Sequence, residues 1–224
     1  MSNLIELHNI TKIYRTVNRE IIALKNINLS VLQSEIIGIL GKPNTGKSTL
    51  ISIMGLADLA SLGEYYYKQQ PTDKISFKER THIRNHQFGF ITHTHFLLSH
   101  QSILKNIMLP LRHRGTALPE AESIAIDMLA KVGLSQAAHK VPGQLSNCEQ
   151  QQVAIARALT NRPAIIFADE PTRGLNTEEE RAIFDLLAKL NQQDGCAIVI
   201  ASENQQAKQY CHRIVAIDSA TSAG

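Results

Sequence analysis

The sequence predicts an α/β fold built around a parallel sheet, and three observations carry that expectation. Short, continuous apolar runs recur at Ile36–Leu40, Phe88–Ile91, Ala164–Ala168, Ala197–Ala201 and Ile214–Ile217. Runs of strand length without polar interruption suit strands buried on both faces, as in a sheet covered by helices. Helical stretches alternate with them, the order expected of strand–helix–strand units. Hydrophobic residues make up 43% of the 224 positions, enough to cover such a sheet on both sides.

Taken in order, residues 1–35 read as short strands with a turn near Val17–Arg19, an antiparallel β patch ahead of the main sheet. Lys47–Leu56 follows the first apolar run directly and reads as a helix. Residues from about 94 to 160 contain no convincing strand and read as a helical lobe inserted into the α/β core. Within it, Pro119 takes the first helical position ahead of EAESIAIDMLAKV, and Gly133 reads as the stop. Thr177 with Glu180 reads as a capping box before RAIFDLLAKL. Length and continuity predict a single domain over residues 1–224.

Composition removes several function classes. A net charge of +3, from 23 basic against 20 acidic residues, is too mild to predict a nucleic-acid partner. Cys148, Cys196 and Cys211 lack metal-type spacing, and their odd number argues against a disulfide framework, so a reducing, cytoplasmic setting is expected. MSNLIELHNI has no basic region ahead of a long apolar core, and no apolar run reaches membrane-spanning length. The expectation is a soluble chain.

Gly41-Lys42-Pro43-Asn44-Thr45-Gly46-Lys47-Ser48 satisfies G-x-x-x-x-G-K-[ST] between a predicted strand and a predicted helix. That spacing lets loop and helix N–H groups surround phosphates, with Thr49 continuing into the helix. Lys47 reaches the terminal phosphates and Ser48 offers a hydroxyl to Mg²⁺. Asn44 stands where glycine would be easiest, and Asn is among the residues that best tolerate positive φ. The second half of the expected site is the strand ending Asp169-Glu170, with Asp169 for Mg²⁺ and Glu170 as the carboxylate against an attacking water. Nucleotide phosphates and Mg²⁺ are therefore the expected occupants.

In this order the motifs resemble those of the ATP-binding subunits of ABC transporters, over nearly the whole chain. The stretches FGFITHTHFLLSHQSILKNIMLPL, SNCEQQQVAIARALTNRP and FADEPTRGLNTEEERAIFDLLAKLNQQDG are most similar to the lipoprotein-releasing and macrolide-exporting branch, LolD and MacB. The resemblance implies that Tyr14 stacks on adenine. It also implies that Ser146 contacts the nucleotide held by a second subunit, and that nucleotide-binding subunits dimerise. An integral membrane permease is the implied partner, which places the chain at the cytoplasmic face of the inner membrane. The stretch around Phe96–Leu111 reads either as the surface that meets it or as ordinary core.

The departures from the family pattern are as informative. His93 stands where the family has Gln, and Asn147 and Cys148 replace the two glycines of its LSGGQ helix. Asn176 replaces an Asp and Arg173 a Gly in the loop after the Asp-Glu strand. Glu203 replaces the His after the next strand, and the following histidine, His212, lies beside the final strand. Extra atoms at 147 and 148 crowd a narrow phosphate contact. Loss of the His hydrogen bond to phosphate costs roughly 1.5–3 kcal/mol. A carboxylate about 4 Å from phosphate adds repulsion of about 4 kcal/mol at an effective dielectric of 20, unless Glu203 rotates away. The expectation is an ABC-type membrane export or lipoprotein-release subunit that binds Mg-ATP with weak or absent hydrolysis. A regulatory module switched by ATP without transport remains open.

Overall fold

The computed structural model describes residues 3–16 and 19–217. Asn3–Thr16 (β1) and Arg19–Leu32 (β2) pair antiparallel, with Thr16 opposite Arg19. Both strands are long rather than short as expected, and register shifts along β1 bend them. Residues 17 and 18 of the expected turn lie outside the described residues. Ile36–Leu40 (β3) leads through a loop into Lys47–Met54 (α1), two residues shorter than expected.

Leu62–Tyr67 (β4) and the two-residue strand Gln70–Pro71 (β5) complete an antiparallel sheet in the order β2-β1-β4-β5. Phe77–Gln87 (α2) precedes Phe88–Thr92 (β6). Three helices follow with no strand between them among the described residues: Ile103–His113 (α3), Leu118–Lys131 (α4) and Asn147–Leu159 (α5). These form the expected helical lobe. Pro119 sits one position inside α4, whose N-cap is Ala117, while Gly133 takes φ +79° just past its end.

Ile165–Asp169 (β7), Thr177–Asp194 (α6), Ala197–Ser202 (β8) and Arg213–Ala216 (β9) complete the chain. The cap of α6 corrects the sequence expectation. Asn176 is the N-cap, its side-chain oxygen accepting from the N–H groups of Glu178 and Glu179, and Glu179 rather than Glu180 closes the box. A Thr177–Glu180 box would begin the helix one residue too late to use the better capping side chain.

The second sheet is parallel throughout, in the order β6-β7-β8-β3-β9. Alternation along its strands sorts side chains into two cores. Ile36, Leu40, Ile166, Ile198 and Ile200 face the helical lobe and α6, where Phe184 and Leu187 meet them. Ile37, Ile39, Phe167 and Val199 face α1 and the antiparallel sheet. Each fully buried Ile or Val of this kind stabilises the sheet by about 1.5–3 kcal/mol. The consequence for function is that the C-terminal ends of β3, β6, β7 and β8 stand side by side, with Leu40 paired to Ser202, and Asp169 to Ala201 and Thr92. That edge is where open parallel sheets place their ligands.

Candidate functional site

The loop after β3 turns through two left-handed residues, Asn44 at φ +61° and Gly46 at φ +93°. Asn44 thus occupies the conformation its residue type tolerates, as the sequence led us to expect. Gly46 has no freedom to carry a side chain, because a Cβ there would collide with the carbonyl oxygen of Ala23. Gly46 is the N-cap of α1 and supplies no capping side chain, so the first-turn N–H groups stay available to an anion. Thr45 ties the loop by donating to the Lys42 carbonyl at 3.0 Å. Lys47, buried at 5% exposure, folds back and donates to the carbonyls of Gly41 and Lys42, each at 2.9 Å.

Two carboxylates face that ammonium. Glu170 Oε1 lies 3.5 Å and Glu203 Oε1 3.6 Å from Lys47 Nζ. Glu170 adopts φ +49°, a conformation that costs a non-glycine residue about 1–3 kcal/mol and marks a constrained site. Its N–H donates to the Ala201 carbonyl at 2.8 Å. Its Oε2 accepts from the Glu203 N–H at 3.2 Å and the Ser202 hydroxyl at 3.4 Å. Asp169 Oδ1 and Glu170 Oε1 are buried without a hydrogen-bond partner. Unpaired buried carboxylate oxygens are costly and call for a donor or a cation. Asp169 Oδ1 together with the exposed Ser48 hydroxyl thus fits a hard divalent cation held by oxygen ligands.

These groups border a cleft of about 420 Å³ lined by Pro43 to Thr49, Glu170, Arg173 and Glu203. Tyr14 and Ile21 form its rim, opposite each other in the β1–β2 register, with exposures of 40% and 47%. The Tyr14 hydroxyl donates to Asp58 Oδ2 at 3.0 Å, and the Lys12 ammonium lies over its ring. Burial opposes ionisation of Asp58, yet hydrogen bonds from Lys12, the Leu59 N–H and Tyr14 outweigh it and hold the carboxyl below its usual range. Ile21 was not singled out from the sequence; the signal that could have found it is the adjacent pair Ile21-Ile22, whose side chains must point to opposite faces of a strand, leaving one exposed. Arg173 was noted only as a replaced glycine, whereas its guanidinium lies 3.6 Å from Glu203 Oε1.

The remaining candidates lie outside the residues lining the cleft. His93 is exposed just past β6. Beside it, burial, His93 and Arg157 lower the pKa of His95. Arg157 donates to the Phe96 and His95 carbonyls and so fixes this loop. Ser146 caps α5, accepting from the Glu149 N–H at 3.2 Å while Glu149 accepts from the Ser146 N–H at 2.7 Å. Asn147 is exposed and Cys148 half-buried at that helix start. Burial, then Glu179 and Glu149, push the Cys148 thiol up, which keeps it protonated rather than nucleophilic. Asn176 is exposed at the start of α6. His212 accepts from the Ile36 N–H at 2.8 Å, at the far end of β3 from the phosphate loop, so it does not stand in for Glu203. The stretch Phe96–Leu111 is mostly core: Ile103, Leu104, Ile107, Met108 and Leu111 are buried, leaving Phe96 and Leu98 exposed. Helical spacing turns most of its apolar residues inward, in line with the ordinary-core alternative for that stretch.

A family profile described as ABC transporter matches residues 24–173. The chain belongs to the ABC transporter family. This ABC chain is 37% identical to the lipoprotein-releasing system ATP-binding protein LolD of Wigglesworthia glossinidia brevipalpis, over 90% of this chain and 88% of that one. It is 36% identical to the macrolide export ATP-binding/permease protein MacB of Burkholderia lata, over 96% of this chain but 31% of MacB. Among solved structures, the ATP-binding cassette MJ0796, in a dimeric state bound to ADP and Pi, superposes with a TM-score of 0.86. It is 34% identical, over 96% of this chain and 94% of that one. The ABC cassette architecture expected from the motifs is therefore present, and the LolD and MacB branch of the family is the one its relatives represent. Among the described residues of this ABC chain, no helix is long and apolar enough to cross a membrane.

Proposed function

We propose that the chain is the ATP-binding subunit of an ABC-type export or lipoprotein-release complex, binding Mg-ATP with weak or absent turnover. One observation supports the reading: Lys47, at the start of a helix whose first-turn N–H groups are available, meets Glu170 in one cleft, and Asp169 ends the strand that leads into Glu170. The phosphates would lie along residues 41–49, the base against Tyr14 and Ile21, and Mg²⁺ between Ser48 and Asp169. The cation would neutralise phosphate charge, and Glu170 would face the attacking water.

Slow turnover is argued from Glu203, whose carboxylate sits on the Lys47 side where a terminal phosphate must go. Asn147 and Cys148 add side chains at the start of α5, the part that a second subunit would receive. That subunit arrangement is supported by the dimeric MJ0796 cassette. The MacB relative's name joins an ATP-binding part to a permease, which supports a membrane permease as partner, and with such a partner the chain would sit at the cytoplasmic face of the inner membrane. Within residues 96–111, Phe96 and Leu98 are the large apolar side chains exposed to meet it.

The test is steady-state ATP turnover by the native chain beside Asn147→Gly/Cys148→Gly/Glu203→His, with Lys47→Ala as blank. The expected result is a native chain that binds nucleotide but stays near the blank, and a triple variant that turns over. Equal, Lys47-dependent turnover in both would overturn the claim of impaired hydrolysis. Copurification with a multi-span membrane protein checks the partner; recovery with a soluble protein alone would count against it.

A further inference from the structure

Glu203 does not stand alone in the cleft. Its Oε1 is shared between two cations, Lys47 Nζ and the Arg173 guanidinium, at 3.6 Å each. The four side chains gathered here differ sharply in freedom. Lys47 is 5% exposed and Glu170 10%, whereas Glu203 is 34% and Arg173 52% exposed. The Glu203 backbone is fixed, its N–H donating to Glu170 Oε2 at 3.2 Å. Rotation of its side chain is therefore the available motion, and that motion pivots between a buried lysine and a solvent-side arginine.

We propose that Arg173 is a positioning residue that draws the Glu203 carboxylate off Lys47, and so lets the cleft accept a nucleoside triphosphate. The inference rests on the nucleotide-binding reading of the cleft and goes beyond it. In the empty cleft Glu203 serves as a counter-ion to Lys47. A diphosphate engages the loop N–H groups and leaves Glu203 near its place. A third phosphate brings a second anion against the same face of Lys47, and two anions cannot share it without strong repulsion. The guanidinium of Arg173 offers the displaced carboxylate a partner on the solvent side, in a planar, always-charged form suited to carboxylates. Lys47 keeps Glu170 as its remaining neighbour. Arg173 thus acts on triphosphate affinity through Glu203, and the pair sets how far the site distinguishes ATP from ADP.

The test is a binding cycle on the full chain, using fluorescent ATP and ADP analogues with Mg²⁺. Native chain, Arg173→Ala, Arg173→Lys, Glu203→Gln and the double variant Arg173→Ala/Glu203→Gln are compared, with Lys47→Ala as blank. Arg173→Ala is expected to weaken ATP binding about two- to fivefold, the scale on which a partly exposed charge contact acts, and to leave ADP binding unchanged. Arg173→Lys should recover most of the loss. With Glu203→Gln in place, removing Arg173 should have no further effect, because the carboxylate it holds is gone. An equal loss for ATP and ADP, an equal loss in both backgrounds, or no loss at all overturns the proposal while nucleotide binding stands. If the native chain binds neither analogue above the blank, the nucleotide reading itself fails and this inference falls with it. Thermal midpoints of the unliganded variants separate a binding loss from a folding defect.

Discussion

Two neighbouring residues of the phosphate loop show how much a single side chain decides. Asn44 and Gly46 both have positive φ, at +61° and +93°, yet they are not equivalent. Asn tolerates the left-handed region, and Asn44 is exposed at the edge of the cleft. At Gly46 any Cβ meets the Ala23 backbone of β2. Gly46→Ala should therefore destabilise the fold by roughly 1–3 kcal/mol through backbone strain alone, with further loss from the collision. Asn44→Gly should change stability little. Thermal midpoints of both variants check this, and a Gly46→Ala protein as stable as the native one would refute the close approach. The motif spacing made both residues legible in the sequence. The Ala23 contact was not, because it comes from a strand more than twenty positions upstream. The same limit applies to Glu203 and Arg173. Each reads in isolation as a lost family residue, and only folding brings the carboxylate between Arg173 and Lys47.

At the scale of elements, the parallel strands were legible to within a residue or so because burial on both faces leaves an uninterrupted apolar run. The segment between α1 and β6 was not legible. β4 carries exposed residues at one end and pairs with β1, some fifty positions away, so its pattern depends on a distant partner. α2 has no buried residue and therefore no apolar stripe, although Ser76 and Glu79 form a full capping box that the sequence does display. Caps also explain a residue that family comparison alone would misjudge. Asn176 stands where an Asp is usual, but it retains a structural task by accepting two N–H groups at the start of the 18-residue helix α6. Asn176→Ala should cost about 1 kcal/mol, seen as a fall of about 2–4 °C in Tm for a chain of this size. Asn176→Asp should hold the cap and the Tm. Should Ala be tolerated without loss, the cap contributes nothing and Asn176 must be explained by function.

Over the whole molecule, buried thiols set an alkaline limit to stability. Burial pushes Cys196 from 9.0 up to about 11, and Cys211 follows in the same direction for the same reason. Between those values the unfolded chain loses the thiol proton while the folded chain keeps it, so the unfolded state binds fewer protons and stability falls as pH rises. The contribution of Cys196 is fully present below about pH 9 and lost by about pH 11, worth about 2–3 kcal/mol. Buried Tyr65 and Tyr67 act in the same sense at still higher pH. Urea midpoints at about pH 8 and about pH 10.5 should therefore diverge, and Cys196→Ala should narrow the gap even though its cavity lowers both. An unchanged gap would move the effect to Cys211 or the tyrosines.

The two kinds of altered residue lie in different parts of one chain, and that separation makes the proposed dimer testable without a permease. Glu203 lines the cleft with Lys47, whereas Asn147 and Cys148 stand at the start of α5, outside the residues lining it. If one site is built from the cleft of one subunit and the α5 start of another, a repair in each place can be supplied by separate chains. Glu203→His alone still meets Asn147 and Cys148 from its twin. Asn147→Gly/Cys148→Gly alone still has Glu203 in both clefts. A mixture of the two contains hybrid dimers in which one site holds both repairs and the other holds neither. Turnover should then appear on mixing that neither variant shows alone, and Lys47→Ala in the Glu203→His chain should abolish it. Lys47→Ala in the other chain should spare it, because the cleft it damages is the one already carrying both defects. Activity confined to the chain with all three substitutions, with none on mixing, would mean that each site is completed within a single subunit.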